Sequence, residues 1–164
     1  MRNQRTTFGD FQCAHCKAPV SSARVFSGVH NRNHCPYCLW SRHLDLHKAG
    51  DRLSACKAPE QPIALTSKRS RNKYGRTDGE LMLVHQCTGC EGISINRIAA
   101  DDDTDMLVDV FNASFTLPAW TRNLLLEEGI QILSSESSPY LGRQLFGNAG
   151  SLHRLKFIRE GIPS

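Results

Sequence analysis

Six of the chain's seven cysteines fall in three C-x-x-C pairs, Cys13/Cys16, Cys35/Cys38 and Cys87/Cys90, and the seventh is the solitary Cys56. A C-x-x-C turn brings two thiolates to one ion with little strain, and zinc takes four such ligands in a tetrahedron. Cys13, Cys16, Cys35 and Cys38 supply a complete set, two close pairs separated by 18 residues. That is the spacing of a structural zinc site. Cys56, Cys87 and Cys90 lack one ligand for a second zinc. His43 is the first choice for it, with His47 and His85 as alternatives. Otherwise Cys56 is a buried free thiol and the last pair is idle or recruits an outside ligand.

Two catalytic chemistries compete with zinc for the same residues. Cys35-Pro36-Tyr37-Cys38 matches the active-site motif of glutaredoxins. There the first thiol is exposed at a helix start behind a buried apolar strand. Here the preceding residues are His30-Asn31-Arg32-Asn33-His34, which form no such strand, and no Thr-Val-Pro loop follows. His30, Asn31, Asn33, His34 and His43 also bring to mind an HNH-type nuclease, with a histidine activating water beside a metal. Such a site needs an open divalent-metal position, for which Asp101, Asp102 and Asp103 are the available carboxylates. The competing reading has Asn33 and His34 bonding around the zinc turn to orient its thiolates, and the aspartates capping a helix or lying in solvent.

A further constellation is electrostatic. Lys68, Arg69, Arg71, Lys73 and Arg76 surround Tyr74 in one loop, a pattern suited to phosphate contacts with a ring free to stack on a base. The formal charge of +4 is uneven: residues 1–57 hold 9 Lys+Arg against 3 Asp+Glu, and residues 101–164 hold 5 against 9. A basic front and an acidic back point to RNA or a ribonucleoprotein such as the ribosome as partner of the front half. The odd, regularly paired cysteines argue for a reducing compartment, the cytoplasm, over a secreted disulfide framework. Residues 1–12 lack an apolar leader core, and no stretch approaches the length of a membrane span.

These residues need elements to position them. Leu39, Arg42, His43 and Leu46 recur at i, i+3, i+4 and i+7, predicting a helix behind Cys38 with the thiolates at its positive end. Gly50 is placed to cap it. Residues 20–29 suit a hairpin turning at Gly28. Turn, hairpin, second pair and helix make a treble-clef-like finger. Residues 62–66, 81–84 and 92–98 read as three strands, a zinc-ribbon-like sheet carrying Cys87 and Cys90 at a turn. Beyond Asp105 the character changes. Pro118 opens a helix whose apolar face is Trp120, Leu124 and Leu125, Gly129 closes it, and short elements follow at 130–133, 141–146 and 152–158. Trp40 is expected to pack against the first zinc site.

Arg32-Asn33-His34-Cys35-Pro36 spells the RNHCP motif, and the chain resembles the bacterial RNHCP-domain family over about residues 11–103. The likeness runs through Cys38-Leu39-Trp40-Ser41, His43, Asp45, Gly50-Asp51-Arg52 and Cys56. It continues through His85, Cys87, Cys90, Asn96-Arg97 and Ala99 to the closing aspartates. The resemblance implies a zinc-binding domain without assigning it a biochemical role. The basic loop and the segment after Asp105 depart from the family pattern.

The chain is therefore expected to be α+β, with a two-zinc domain at 1–104 and a C-terminal α/β extension at 105–164 that packs on it or on a partner. The expected role is a binding module for RNA or a ribonucleoprotein, with an HNH-like nuclease or a protein adaptor as alternatives.

Overall fold

In the computed structural model, which describes residues 9–69 and 79–147, the first strands are a short antiparallel hairpin, β1 (Phe11–Gln12) with β2 (Pro19–Val20), around the first cysteine pair. One helical turn follows, α1 (Arg24–Ser27). The main sheet is antiparallel in the order β3 (Ser41–Arg42), β4 (Pro59–Lys68), β5 (Glu80–Cys87), β6 (Ile93–Arg97). Glu60 pairs with Cys87, Leu65 with Leu83 and Val84 with Ile95. The β4–β5 register shifts between Pro62 and Ala64, beside a proline with no N–H to give the ladder.

β5 is apolar along most of its length because both faces of the sheet are covered. On one face Leu65, Leu81 and Leu83 meet Leu107, Val110 and Phe111 of α2 (Thr104–Ala113) and Leu141 of α4 (Ser138–Phe146). On the other face Ile63, Ala64 and Val84 meet Leu125 of α3 (Ala119–Glu127). The caps that start and stop these helices are local. Asp103 accepts the Met106 amide at 3.0 Å to start α2. Gly129 (φ 70°) closes α3 in a Schellman arrangement, with Ile130 N–H on Leu125 O and Gly129 N–H on Leu126 O. Among the described residues no helix is long and apolar enough to cross a membrane.

The zinc-stapled mixture of helix and sheet is as expected, and all three predicted strands form, the first two longer than expected and the third slightly shorter, joined by β3. Three local expectations fail. No helix forms after Cys38: residues 41–42 pair with β4, and residues 43–53 fold as a turn-rich loop. Its two aspartates explain why. Asp51 accepts the amides of Leu46, His47, Lys48 and Leu53, while Asp45 accepts those of Gly50 and Arg52. These N–H groups are thereby withdrawn from any helical ladder. The Leu46 amide above all, with those of Leu53, Lys48 and His47, holds the Asp51 carboxyl below the usual carboxylate range. Gly50 keeps its left-handed conformation (φ 85°), but for a different reason. A Cβ there would run into the Asn31 side chain.

The hairpin predicted over 20–29 is instead β2 followed by α1. Trp120, assigned to the inner face of its helix, is 54% exposed, and Thr121 and Leu125 take that face. The element expected at 152–158 lies outside the described residues.

Phe111 is fully buried and packs edge-on against Phe115 at 4.9 Å between centroids. Phe111→Ala is expected to cost about 3–5 kcal/mol, read as a lower denaturant midpoint.

Candidate metal centres

Each cysteine pair is held by the same backbone turn. The N–H of the first cysteine donates to the carbonyl two residues past the second: Cys13 to Ala18, Cys35 to Trp40, Cys87 to Gly92. The residue just after the second cysteine donates back to the first: Lys17 to Cys13, Leu39 to Cys35, Glu91 to Cys87. That residue is left-handed each time, with φ of 64°, 62° and 62° at Lys17, Leu39 and Glu91. None is glycine, so the turn carries a backbone cost that metal coordination must offset.

The solitary cysteine obeys the same rule. His43 N–H donates to Ala58 O at 2.9 Å, Lys57 N–H donates back to His43 O at 3.2 Å, and Lys57 has φ 52°. His43 and Cys56 thus form a fourth turn of the same kind, with residues 44–55 inserted between the two ligands. Sequence reasoning had found His43 and Cys56 but missed this kinship, because the insertion hides a two-residue spacing. The sulfur chemistry repeats as well. The amide two residues after each second ligand hydrogen-bonds that sulfur, namely Ala18 on Cys16, Trp40 on Cys38, Ala58 on Cys56 and Gly92 on Cys90.

The four turns come together two by two. Cys13, Cys16, Cys35 and Cys38 converge, as do His43, Cys56, Cys87 and Cys90, with the ligand atoms of each set within 4.8 Å of one another. Separations are 3.6 Å for Cys13–Cys38, Cys16–Cys35 and Cys56–Cys87, and 3.2 Å from Cys90 Sγ to His43 Nδ1. Sulfurs about 2.3 Å from a tetrahedral zinc stand about 3.8 Å apart, whereas a disulfide is about 2.05 Å. Both sets therefore fit zinc, the first as four sulfurs and the second as three sulfurs and one imidazole nitrogen. Of the three histidines considered for the second site, the tetrad contains His43. His47 is exposed in the inserted loop, and His85 is fully buried elsewhere.

The donors' own acidity fits a cation. Burial pushes the Cys35 thiol up to about 11 and raises Cys38 as well. Hydrogen bonds from the Ala18 and Ala58 amides lower Cys16 and Cys56. A divalent ion among four such donors reverses the burial effect and keeps them as thiolates. Trp40 packs on the first site as expected, its ring stacked on that of His15 at 4.1 Å and 3°.

The residues that spell the motif are tied into the frame. Arg32, 4% exposed, donates to Asp101 at 2.8 Å, to Asp102 at 3.4 Å and to the His34 carbonyl at 3.1 Å. His34, 2% exposed, bonds both Asp102 oxygens through Nε2, at 2.8 and 2.9 Å. Asp102 also accepts the Ala99 amide at 2.7 Å. Asn33 donates to Asp45 at 3.0 Å and accepts from Arg52. The aspartate run thus splits into three jobs: Asp101 and Asp102 neutralise Arg32, Asp102 also holds His34, and Asp103 caps α2. Solvent or capping was the expectation for all three, and only Asp103 caps.

A model of the RNHCP domain matches residues 8–108. The chain belongs to the RNHCP domain family. No curated protein and no solved structure matches this chain. Within the RNHCP domain, Arg32 and Arg52 are occupied in ion pairs with Asp101, Asp102 and Asp45. Of the basic loop, Lys68 and Arg69 are exposed at the end of β4, whereas Arg71, Lys73, Tyr74 and Arg76 lie outside the described residues.

Elemental analysis of the purified chain is expected to find two zinc ions per molecule. Below about pH 11 the metal-free Cys35 is a thiol, so zinc loading at pH 7–8 displaces its proton. A weakly buffered indicator dye should register that release. Asp102→Asn leaves the buried Arg32 charge short of a partner, and a loss of about 3–5 kcal/mol is expected in denaturant melts.

Proposed function

We propose that this RNHCP domain is a zinc-stapled binding module that docks onto RNA or a ribonucleoprotein such as the ribosome. The observation that supports the reading is the exposure of Lys68 and Arg69 at the end of β4, with three more cations following in the sequence. Lys68 ends β4 and Arg69 follows it, and in the sequence Arg71, Lys73 and Arg76 come before β5 begins. β4 starts beside the second metal tetrad and ends at Lys68, nine residues later. At about 3.3 Å per residue, Lys68 stands roughly 30 Å along β4 from the strand's start beside that tetrad. Cations at the end of a paired strand make phosphate contacts with little loss of backbone entropy on binding. A reducing cytoplasm, which keeps seven cysteines available as ligands, suits the same role.

The nuclease alternative loses its support. His34 is buried and bound to Asp102, and Asp101–Asp103 serve Arg32, His34 and the α2 cap. Among the described residues, the groups able to hold a metal are the two tetrads. The adaptor alternative keeps one favourable observation, the exposure of Trp120 (54%) and Leu126 (70%) on α3. Dependence of a pull-down on Trp120, with the basic loop dispensable, would favour it.

Filter binding to single-stranded RNA across salt concentrations tests the leading reading. Five phosphate contacts give a log–log salt slope of roughly −3.5. Reversing charge at Lys68, Arg69 and Arg71 is expected to weaken binding at least about tenfold and to flatten the slope. Affinity indifferent to salt and to charge reversal removes RNA as the partner.

A further inference from the structure

The two metal tetrads share more than a sheet. Cys38 closes the first site and His43 opens the second, and the backbone between them is tied throughout. Leu39, fully buried and left-handed, donates to Cys35 O, and Trp40 O accepts the Cys35 amide. Ser41 and Arg42 pair with Glu60 and Pro59. His43 then donates to Ala58 O. No residue of this strap is left to absorb a displacement of Cys38 before it reaches His43.

A second connection runs through His85. Its ring is 0% exposed, with Nε2 donating to the Leu39 carbonyl at 2.7 Å and Nδ1 accepting from Asn96 Nδ2 at 3.0 Å. The Leu39 carbonyl belongs to the turn that holds Cys35 and Cys38. His85 itself lies on β5, two residues before the ligand Cys87. One contact therefore fixes the first site's turn against the strand that delivers a ligand to the second.

The sites also differ in shelter. At the first, Cys13 and Cys35 are buried and Cys16 is exposed; at the second, Cys87 alone is buried and Cys56 and Cys90 are exposed. The first combines four thiolates with two buried ligands and one exposed; the second combines three thiolates and one imidazole with one buried ligand and two exposed. Lower affinity and faster exchange at the second site follow from that difference.

We propose that the two sites bind metal cooperatively, with the 38–43 strap and His85 as the coupling elements, so that filling the sheltered first site organises His43 and Cys87 for the exchangeable second. This rests on both tetrads binding metal, and it adds an energetic link that zinc stoichiometry alone would not reveal. Linkage makes the effect reciprocal: the factor by which the first metal tightens the second must equal the factor by which the second tightens the first. His85 is a positioning residue here, acting through Leu39 and β5, and touches no metal.

The test is Co²⁺ titration of the metal-free full-length chain, because four-sulfur and three-sulfur-one-nitrogen sites give different visible bands. Second-site affinity is compared between the wild type and a Cys13→Ser/Cys16→Ser variant that cannot fill the first. The expected loss is about tenfold or more. The reciprocal arm uses Cys56→Ser/Cys90→Ser, whose substituted residues are both exposed, and reads first-site affinity. The same factor is expected, so the test stands even if the first variant folds poorly.

Both comparisons are then repeated in a His85→Ala background. There the factor should shrink toward one, and His85→Gln, which keeps a donor for the Leu39 carbonyl, should restore much of it. A merely stabilising His85 would lower the melting temperature and leave the factor unchanged. Two sites with affinities independent of each other, or a factor untouched by His85→Ala, overturn the proposal. Failure of either site to bind Co²⁺ at all would instead overturn the metal assignment itself.

Discussion

Coordination at two points, through four copies of one backbone turn, is the constraint from which the rest of this structure follows. Each turn places a non-glycine residue in the left-handed region and aims an amide at a sulfur. It also exposes its ends to be continued as a strand. β1 and β2 continue the first turn, β3 and β4 continue the His43–Cys56 turn, and β5 and β6 continue the last. The strands meet in register because the ligands must converge. Glu60 sits opposite Cys87 and Ser41 opposite Glu60, where the two halves of the second site close.

Around this metal frame lies a conventional apolar core, and the two reinforce each other. Leu39 belongs at once to the turn of the first site and to the cluster containing Leu83 and Phe111. Burial of Leu39 and coordination by Cys38 thus stabilise the same segment. The charged motif residues extend the pattern. Arg32 and His34 sit just before the second cysteine pair and lock onto Asp101 and Asp102, which immediately precede α2. A buried ion pair of this kind contributes little net stability compared with an apolar replacement, but it penalises any other docking of the two segments. It specifies where the chain must leave the zinc turns and enter the helical layer.

The inserted loop 44–55 shows how such a frame is elaborated. Knuckle turns tolerate insertion between their ligands provided the flanking hydrogen bonds are kept, and here Asp45 and Asp51 replace solvent as acceptors for the loop's amides. The result is an ordered loop beside the second metal. Exposed Leu46 and Leu53 stand on it, at 54% and 62%. Lys68 and Arg69 stand exposed at the far end of β4, away from that loop.

The sequence alone determined what depends on short spacing and residue chemistry. C-x-x-C turns, the three strands of the sheet, the start of α3 after Pro118 and its stop at Gly129 are local properties, and the first tetrad follows from two close pairs. Tertiary structure decided what depends on distant partners. Helical periodicity after Cys38 yielded to β3 pairing and to two aspartates that capture the amides a helix would need. The choice of His43 over His85 and His47 required the fold, since all three lie near cysteines in the chain but one alone reaches the cluster. The kinship of His43–Cys56 with the other turns is invisible in spacing, because backbone hydrogen bonds define the turn and the residues between its ligands do not. The partners of Arg32 and His34 lie some seventy positions away, and nothing local in the motif points to them.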